Sequence, residues 1–326
     1  RASCQLCNSM LARSLAGSLL AKPCPTPRAL QPVSQQGRPS RSNRLMASAA
    51  PDASDWVKQD SRRMLHVVYR VGHLDDTIEY YKKHFGMQLL RSRDMPEEKY
   101  TNAFLGYGPE SERCVLELTY NYGVESYDLG DGFGHFGLAV PDVYKMTEGI
   151  QAAGGVVSRP AGPVKGGNRP IAFVKDPTGW SFELIQREGK IVEPFAQVML
   201  RVSNLEKSIA YYTQALGMTL LRTRENAEGR YTLAFLGYGP EEDNTVFELT
   251  YNWDRTEPYG NGKGYGQMAI STKDVYKTAE QIRAAGGKIT KEPGPLPGIG
   301  TKILASVDPD NWKVVFVDEA DFNKEL

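Results

Sequence analysis

The body of the chain contains one sequence pattern twice, and this repeat limits the possible folds more than any other feature. The segment HVVYRVGHLDDTIEYYKKHFGMQLLRSR, which begins at His66, matches QVMLRVSNLEKSIAYYTQALGMTLLRTR, which begins 131 residues later at Gln197. Further along, AFLGYGPESERCVLELTYN matches AFLGYGPEEDNTVFELTYN at the same spacing. The chain therefore contains two similar modules, which we place at residues 62–190 and 194–322.

Each module is predicted to fold as two βαβββ units. A short alternating strand, residues 64–71, precedes the amphipathic helix TIEYYKKHFG, which Gly86 ends as a C-cap. Three β-rich runs follow, then a Gly-rich loop, the strand FGHFGLAV, a second helix capped by Asp142, and two more strands. The second module repeats this order with Gly217 and Asp274. Four such units favour an α+β fold of two tandem domains, with curved sheets and outer helices.

The overall composition excludes two classes of partner. The 326 residues include 39 basic and 39 acidic side chains, so the formal net charge is zero. Nucleic acids and anionic membranes attract proteins that have a surplus of Lys and Arg, which this chain lacks. No apolar run approaches the roughly 20 residues that a membrane crossing needs. We therefore expect neither a nucleic acid nor a membrane as partner.

The N-terminal segment differs from the rest of the chain in charge. It carries +7 before its first acidic residue, Asp52, and the remainder carries −7. Residues 1–55 are also rich in Ser and Pro, a composition typical of an organelle transit peptide, so we expect a disordered tail that directs the protein to the chloroplast. A mitochondrial address, a cytosolic form that starts at Met46, and a plain linker are the alternatives. Three of the four Cys lie in this tail, so the body, with Cys114 alone, suits a reducing compartment.

Four polar side chains interrupt apolar strands of the first module at equivalent places. They are His66, Glu117 in VLELT, His135 in FGHFG and Glu183 in SFELI. Any one of them alone is most simply a hydrogen-bonded residue of a core or an edge, because a buried polar group needs a partner. Together they offer the nitrogen and oxygen donors that bind a divalent transition metal. The second module has these residues at the equivalent positions: Gln197, Glu248, Gln267 and Val315.

A second pattern places an Arg and an Asn on the same strand faces as two of these residues. Arg201 lies four residues after Gln197, and Asn252 lies four residues after Glu248. Side chains at i and i+4 of a strand share a face and are about 13 Å apart, so one ligand could reach a metal and this pair together. The first module has the same spacing at two positions, Arg70 and Asn121.

The segments ELTYN, FGHFGLAV, LGMTLLR and DPTGWSFELI resemble glyoxalase I, or lactoylglutathione lyase, of the vicinal-oxygen-chelate superfamily. The resemblance covers about residues 62–320, and two modules in one chain are similar to the plant enzymes, in which a dimer has become covalent. It implies that each metal site lies between modules. One site would then combine four ligands, namely Gln197, Glu248, His135 and Glu183. The opposite site would combine His66, Glu117, Gln267 and Val315, and it would be vestigial, because Val cannot bind a metal. Arg70 and Asn121 would remain there to hold a thiol ligand.

The resemblance also implies a reaction, the conversion of the methylglyoxal–glutathione hemithioacetal to S-lactoylglutathione through an enediolate. Glu183 would be the base, and Glu248 a ligand and possible second base. Glutathione would be bound by Arg201 and Asn252, with Lys165 and Arg169 as weaker candidates for its glycyl carboxylate. The chain departs from some relatives at Asp131, where an Arg can stand. The expected metal is Ni²⁺, with Zn²⁺, Co²⁺ and Mn²⁺ as alternatives, and the expected state is a monomer.

Two other functions remain open from the sequence. The first is an Fe(II) extradiol dioxygenase of the same superfamily, in which His66, His135 and Glu183 of one module would form a two-His, one-carboxylate triad. That reading leaves Glu117 and Glu248 without a role. The second is a metal-free binding module, which would need no carboxylate ligands at all.

Overall fold

Sixteen β-strands form the framework of the part of the chain that the computed structural model describes, residues 53–164 and 167–326. The strands of the first module are β1 (Met64–Arg70), β2 (Gln88–Met95), β3 (Tyr100–Gly106), β4 (Val115–Asn121), β5 (Phe133–Val140), β6 (Val156–Pro163), β7 (Pro170–Lys175) and β8 (Ser181–Gln186). The strands of the second module are β9 (Phe195–Arg201), β10 (Thr219–Asn226), β11 (Tyr231–Gly237), β12 (Val246–Asn252), β13 (Tyr265–Thr272), β14 (Lys288–Pro295), β15 (Lys302–Val307) and β16 (Lys313–Asp318).

The helices occupy the places that the repeat predicts, with one addition at each end. They are α1 (Ala53–Gln59), α2 (Leu74–Tyr80), α3 (Val143–Ala152), α4 (Leu205–Ala210), α5 (Val275–Ala284) and α6 (Glu319–Glu325). A π-helical turn extends α2 as Tyr81–Phe85 and α4 as Tyr211–Ala215. The sequence did not indicate α1 or α6, and α1 begins within the tail that we placed at residues 1–55. None of these helices has the length and apolarity that a membrane crossing requires.

The predicted helix ends are confirmed by local geometry. Gly86 has a φ of 72°, a left-handed conformation that Gly adopts without strain, and it follows the last turn of the first helix. Gly217 has a φ of 70° at the equivalent place. The carboxylate of Asp142 accepts a hydrogen bond from the backbone N–H of Lys145, and Asp274 caps α5 in the same manner. These caps fix where each helix begins relative to the strand before it.

The strands form two eight-stranded sheets, and each sheet takes half of its strands from each module. The central sheet has the order β10-β11-β12-β9-β5-β8-β7-β6, and the terminal sheet has the order β14-β15-β16-β13-β1-β4-β3-β2. The modules meet where β5 pairs antiparallel with β9 and where β1 pairs antiparallel with β13. The predicted α+β fold of four βαβββ units is therefore confirmed, and the two modules share both sheets.

One hydrophobic core contains side chains from both sheets. A binding site must therefore lie on the strand faces that point away from this core. Tyr69 of β1 and Phe136 of β5 belong to one buried cluster, and their rings lie 4.6 Å apart. Trp180 and Trp312, equivalent in the repeat, are also buried there. Each indole N–H donates to a strand carbonyl in the other half of its own module, that of Arg70 for Trp180 and that of Arg201 for Trp312. Successive side chains of a strand point to opposite faces, so His135, which precedes Phe136, faces away from this core.

Candidate active site

Four neighbouring strands of the central sheet bring the four predicted ligands together. The strands are β12, β9, β5 and β8, in that order, and they carry Glu248, Gln197, His135 and Glu183. Two register pairs place them in one band across the sheet: Gly137 lies opposite Gln197 and beside Glu183, and Met199 lies opposite His135 and beside Glu248. The predicted combination across the two modules is therefore what the strand pairing produces.

Gly137 is required for this arrangement because the absence of a side chain leaves space for the side chain of Gln197. A Cβ atom at this position would lie 2.2 Å from Cγ of Gln197 and 2.9 Å from its Cδ. Contacts this short do not occur between carbon atoms, so any other residue would displace the Gln197 side chain. The Gly in FGHFG thus supports the site indirectly, by allowing the Gln of the facing strand to lie over it.

The polar atoms of the four side chains form one compact cluster. Nε2 of His135 lies 3.1 Å from Oε2 of Glu183 and 3.9 Å from Oε2 of Glu248. The amide Nε2 of Gln197 donates to Oε2 of Glu183 at 3.0 Å and also donates to Oε2 of Glu248. It lies 3.3 Å from Nε2 of His135 as well. The amide of Gln197 thus lies at the centre of a nitrogen and oxygen cluster.

Burial and mutual charge perturb the proton affinities in this cluster. Burial, followed by the negative charge of Glu183, raises the pKa of Glu248 to about 7, although the nearby His135 opposes the shift. Burial alone would lower the pKa of His135, but the hydrogen bond that its ring donates to Glu183 and the charges of both carboxylates raise it. Two carboxylates this close carry an excess of negative charge, so the cluster is suited to a cation.

The donor set fits a divalent metal ion. One ligand atom from each of His135, Glu183 and Glu248 lies within 4.8 Å of the other two, and all three residues are buried or nearly so. The fourth, Gln197, offers an amide whose oxygen and nitrogen exchange places by rotation about one bond, so it can present Oε1 to a cation instead of Nε2 to the carboxylates. Imidazole, carboxylate and amide oxygen are ligands of Ni²⁺, Co²⁺, Zn²⁺ and Mn²⁺.

A cleft of about 530 Å³ lies over this cluster and extends beyond it along the strands. Arg201 and Asn252 line one end, as the strand spacing predicted. A guanidinium nitrogen of Arg201 donates to the backbone carbonyls of Asp131 and Phe133, at 2.9 Å each. These bonds hold the Arg201 side chain at the start of β5 and leave its other N–H groups for a ligand.

Two further residues that the sequence did not single out, Tyr259 and Arg255, support Asn252 at this end. The amide Nδ2 of Asn252 donates to the hydroxyl of Tyr259 at 2.8 Å, which leaves Oδ1 as an acceptor. The guanidinium of Arg255 stacks on the Tyr259 ring and pairs with Asp131 at 2.7 Å. Asp131, which departs from some relatives, is therefore neutralised by an Arg from a different loop. Only the fold brings Arg255 and Asp131 together, because 124 residues separate them.

The two weaker candidates for carboxylate binding have different outcomes. Arg169 lines the cleft at the start of β7, whereas Lys165 lies outside the described residues. The cleft also contains arginines that sequence reasoning missed: Arg159, Arg187, Arg222 and Arg224. A usable signal existed for two of them. Arg222 and Arg224 alternate along LLRTREN, so they share a strand face, and this alternation is the criterion that identified Arg201.

The residues predicted for the opposite site lie in the terminal sheet, where helix α6 covers them. They are His66, Glu117, Gln267 and Val315. Nε2 of His66 lies 3.1 Å from Oε2 of Glu117, so the first module's pair is in contact. Phe322 of α6 is 2% exposed, and its ring lies 6.1 Å from the imidazole of His66. Val315 packs in the same apolar cluster as Phe322. The expected second pocket is therefore filled by the chain's own C-terminal helix, which the sequence did not indicate.

The charge state of this covered pair differs from that of the central cluster. Burial, assisted by three nearby arginines, lowers the pKa of His66 to about 3. Burial raises the pKa of Glu117 to about 7. Between about pH 3 and pH 7 both groups are thus uncharged. At the far end of the strands, Arg70 donates to the carbonyl of Lys263 at 2.7 Å, and Asn121 donates to the Tyr127 hydroxyl at 2.8 Å.

The dioxygenase triad is wrong because its members lie in different sheets. His66 is on β1 of the terminal sheet, whereas His135 and Glu183 are on β5 and β8 of the central sheet. Among the described residues, the His, Cys, Asp and Glu side chains that come close enough to share a metal ion are His135, Glu183 and Glu248. The structure thus gives a role to Glu248, which the triad left unused.

Comparison with known proteins agrees with this geometry. The model of the Glyoxalase/Bleomycin resistance protein/Dioxygenase superfamily matches twice, at residues 63–184 and 195–316. A probable chloroplastic lactoylglutathione lyase of Arabidopsis thaliana is 62% identical over 280 residues, which are 86% of this chain and 79% of that protein. A second Arabidopsis thaliana lactoylglutathione lyase is 59% identical over 281 residues, or 85% of this chain and 99% of that protein. The crystal structure of glyoxalase I from Zea mays has a TM-score of 0.81 and 59% identity, and the match covers 83% of this chain and 97% of that one. The chain therefore belongs to the Glyoxalase/Bleomycin resistance protein/Dioxygenase superfamily and, within it, to the lactoylglutathione lyases of the two-domain plant type.

Proposed function

We propose that the protein is a metal-dependent glyoxalase I, which converts the hemithioacetal of methylglyoxal and glutathione to S-lactoylglutathione. One observation carries this proposal. The central sheet brings His135, two Glu and Gln197 from both modules into contact, beside a cleft that has Arg201 and Asn252 at one end. The relatives named lactoylglutathione lyase support the same reaction. A binding module would have no need for two buried carboxylates around one imidazole.

Glu183 is the proposed base. The isomerisation removes a proton from one substrate carbon and returns it to the neighbouring carbon, so a carboxylate must both accept and donate this proton. Glu183 lies at the floor of the cleft, and its contact with His135 fixes its orientation. Glu248 lies in the same buried cluster, with its Oε2 3.9 Å from Nε2 of His135, so it is the proposed second base as well as a ligand.

Arg201 and Asn252 are proposed to bind glutathione. The guanidinium of Arg201 is held by two backbone carbonyls, so it can form a charge-assisted contact with a carboxylate without losing much side-chain entropy. Oδ1 of Asn252 is an acceptor for an amide N–H of the peptide. Both residues lie about 13 Å along their strands from the proposed ligands, a separation that would let the thiol end of the peptide reach Glu183 and Glu248.

A divalent cation held by His135, Glu183, Gln197 and Glu248 would supply Lewis-acid stabilisation of the negative charge on the substrate oxygens. We propose nickel, on the resemblance of these compact modules to the nickel-preferring enzymes. Metal-free protein loaded separately with Ni²⁺, Co²⁺, Zn²⁺ and Mn²⁺ should turn over fastest with nickel. Faster turnover with zinc would contradict the assignment. We expect one tight equivalent per chain, and two equally active equivalents would refute the single working site.

The role of Glu183 can be tested by Glu183→Gln, with Glu117→Gln as the matched control. The amide keeps the shape of the side chain but cannot take a proton, so turnover should fall by about 100- to 10,000-fold. Bound metal, measured by elemental analysis, should fall much less. Glu117→Gln makes the same change in the covered set of the terminal sheet and should leave turnover within about twofold. Retained activity in Glu183→Gln would exclude Glu183 as the base.

The proposed enzyme acts as a monomer in the chloroplast. Both contacts between modules, β5 with β9 and β1 with β13, are made within one chain, so no second chain is needed to complete the site. A constitutive dimer by light scattering would contradict this. The chloroplast proposal rests on the composition of the tail, of which residues 1–52 lie outside the described ranges, and on the name of one relative. Import of the full chain into isolated plastids would test it.

A further inference from the structure

Helix α6 occupies one face of the terminal sheet with a charged group and an apolar group, and each group has its own set of partners. The charged group is the carboxylate of Glu325. Arg93 donates to its Oε2 at 2.6 Å, and a nitrogen of Arg91 lies 3.9 Å from the same oxygen. The hydroxyl of Thr301, a buried residue, donates to the other oxygen, Oε1. Two arginines of β2 and one buried hydroxyl thus converge on one carboxylate.

The apolar group of α6 is the side chain of Phe322. Its ring lies 6.1 Å from the imidazole of His66, and it packs in a buried cluster with Val315 and Ile303. Phe322 and Glu325 are three residues apart on one helix, so they lie on the same side of it, with about 5 to 6 Å between their Cβ atoms. The helix therefore presents an aromatic ring and a carboxylate at a short separation.

Two buried polar atoms of the covered site have no hydrogen-bond partner among the described residues. They are Nδ1 of His66 and Oδ1 of Asn102. The other polar atom of each side chain is used by Glu117: Nε2 of His66 lies 3.1 Å from its Oε2, and Nδ2 of Asn102 donates to its Oε1 at 2.6 Å. An unpaired buried polar atom is unfavourable, and α6 brings the apolar ring of Phe322 to this place instead of a partner. The helix is therefore an imperfect occupant of the site.

The contacts that hold α6 are few, so the helix can leave the sheet. It follows β16 and takes no part in either sheet, so its release breaks no strand pairing. Its seven residues are too few for a stable isolated helix. Apart from Phe322, it is held mainly by the ion pairs of Glu325 with Arg93 and of Asp321 with Lys302, which are partly exposed and contribute little each. A ligand that binds only the released state can therefore shift this equilibrium.

The charge that release leaves behind selects an acid as the ligand. Arg91 pairs with Glu110 through two hydrogen bonds, at 2.6 and 3.0 Å, which do not involve α6. Among the described residues, Arg93 pairs with Glu325, so release leaves the Arg93 guanidinium without its anion. A carboxylate ligand replaces this anion through a charge-assisted hydrogen bond, and a neutral ligand does not.

We propose that the terminal sheet contains a second ligand site, which α6 occupies in the free protein and from which an amphiphilic carboxylate displaces it. The aromatic or alkyl group of this ligand takes the place of Phe322 beside His66. Its carboxylate takes the place of Glu325 on Arg93 and Thr301. The proposal does not depend on the reaction at the central sheet, so its tests measure binding rather than turnover, and their failure would leave the proposed function intact.

The first test uses 4-phenylbutyrate, whose ring and carboxylate are joined by a short alkyl chain, and the neutral 4-phenylbutyramide. Binding to the full chain is measured by calorimetry. Because α6 and the acid compete, Glu325→Gln, which weakens the docking of α6, should tighten binding of the acid by about two- to fivefold. The acid should also speed amide exchange in residues 319–325 of the wild type. A ligand that bound elsewhere on the folded chain would leave this exchange unchanged or slow it.

The second test locates the carboxylate, with Arg224 of the open cleft, 131 residues after Arg93, as the matched control position. In the Glu325→Gln protein, a further Arg93→Gln should weaken binding of the acid about tenfold and leave binding of the amide unchanged. Arg224→Gln in the same protein should leave both unchanged. NMR signals of the His66 ring should shift when the acid binds.

Three results would overturn the proposal. One is the absence of binding in both the wild type and Glu325→Gln. Another is binding that Glu325→Gln does not tighten, or that leaves exchange in α6 unchanged or slower. The third is a loss with Arg224→Gln in place of Arg93→Gln, which would locate the acid in the central cleft.

Discussion

The contact of Phe322 with the covered site gives a prediction whose magnitude can be worked from the structure. The side chain is 2% exposed and packs in a cluster that includes Leu65, Val315 and Ile303. Truncation of a buried Phe to Ala costs about 3 to 5 kcal/mol when the surrounding structure cannot collapse into the space. We therefore expect Phe322→Ala to lower the free energy of unfolding by about this amount, provided that α6 stays docked.

In this variant α6 can also detach from the sheet, and detachment limits the loss in the free energy of unfolding. Apart from Phe322, α6 is held mainly by partly exposed ion pairs, Glu325 with Arg93 and Asp321 with Lys302. Pairs of this kind contribute about 0 to 1 kcal/mol each. If the cavity costs more than the docking of α6 is worth, the helix will detach and His66 will become accessible to water. A measured loss below 3 kcal/mol should then be accompanied by fast amide exchange throughout residues 319–325.

The assay combines urea unfolding, hydrogen exchange of α6 and NMR titration of His66. Opening the site removes the burial that lowers the His66 pKa to about 3, so this pKa should rise toward its usual value near 6.5. The control is Leu326→Ala, which removes an apolar side chain that is 52% exposed and should change stability by less than about 0.5 kcal/mol. A loss below 1 kcal/mol in Phe322→Ala, with slow exchange in α6 and an unchanged His66 pKa, would refute the reasoning.

Three further predictions concern two residues of the central site and the buried Asp308, which lies between β15 and β16 of the terminal sheet. Gln197→Ala removes one of four donors and should weaken metal binding at least tenfold by chelator competition, whereas the counterpart change Gln267→Ala should not. Arg201→Gln should raise KM for the glutathione adduct about 10- to 100-fold with a smaller change in kcat, and an unchanged KM would contradict its role. Burial raises the pKa of Asp308 from 3.8 to about 7, so the folded state keeps a proton that the unfolded state has lost, and stability should fall as pH rises from about 4 to 7. Asp308→Asn should flatten this dependence in thermal unfolding scans, and a parallel curve would show that another group causes it.

Much of the local structure was predictable because it depends on neighbours in the sequence. Gly86 and Gly217 end helices since their backbone φ is positive, and Asp142 and Asp274 begin helices since a carboxylate can accept the first free N–H groups. The alternation along each strand also indicated which side chains share a face. These signals depend on residues that are close together in the sequence, so the sequence alone is enough to recognise them.

The candidate site was predictable only in part. The repeat identified Gln197 and Glu248 as the counterparts of His66 and Glu117. The resemblance, rather than spacing, indicated that they combine with His135 and Glu183 across modules. Two contributions came from contacts distant in sequence and gave no local signal: α6 over His66, and Arg255 beside Asp131. The pair Arg222 and Arg224 did have a signal, the alternation along β10, and it was missed.

The sequence by itself determined that this chain has four βαβββ units and which faces of their strands carry polar residues. It did not determine which units share a sheet, because the units are similar and β5 could by local criteria pair with either neighbour along the chain. The tertiary structure decided this by pairing β5 with β9 and β1 with β13. It also decided which of two similar concave faces stays open, because only one of them is followed in the chain by a helix whose Phe322 and Glu325 fill it. Both decisions depend on contacts between residues far apart in sequence, where burial and charge pairing outweigh local preference.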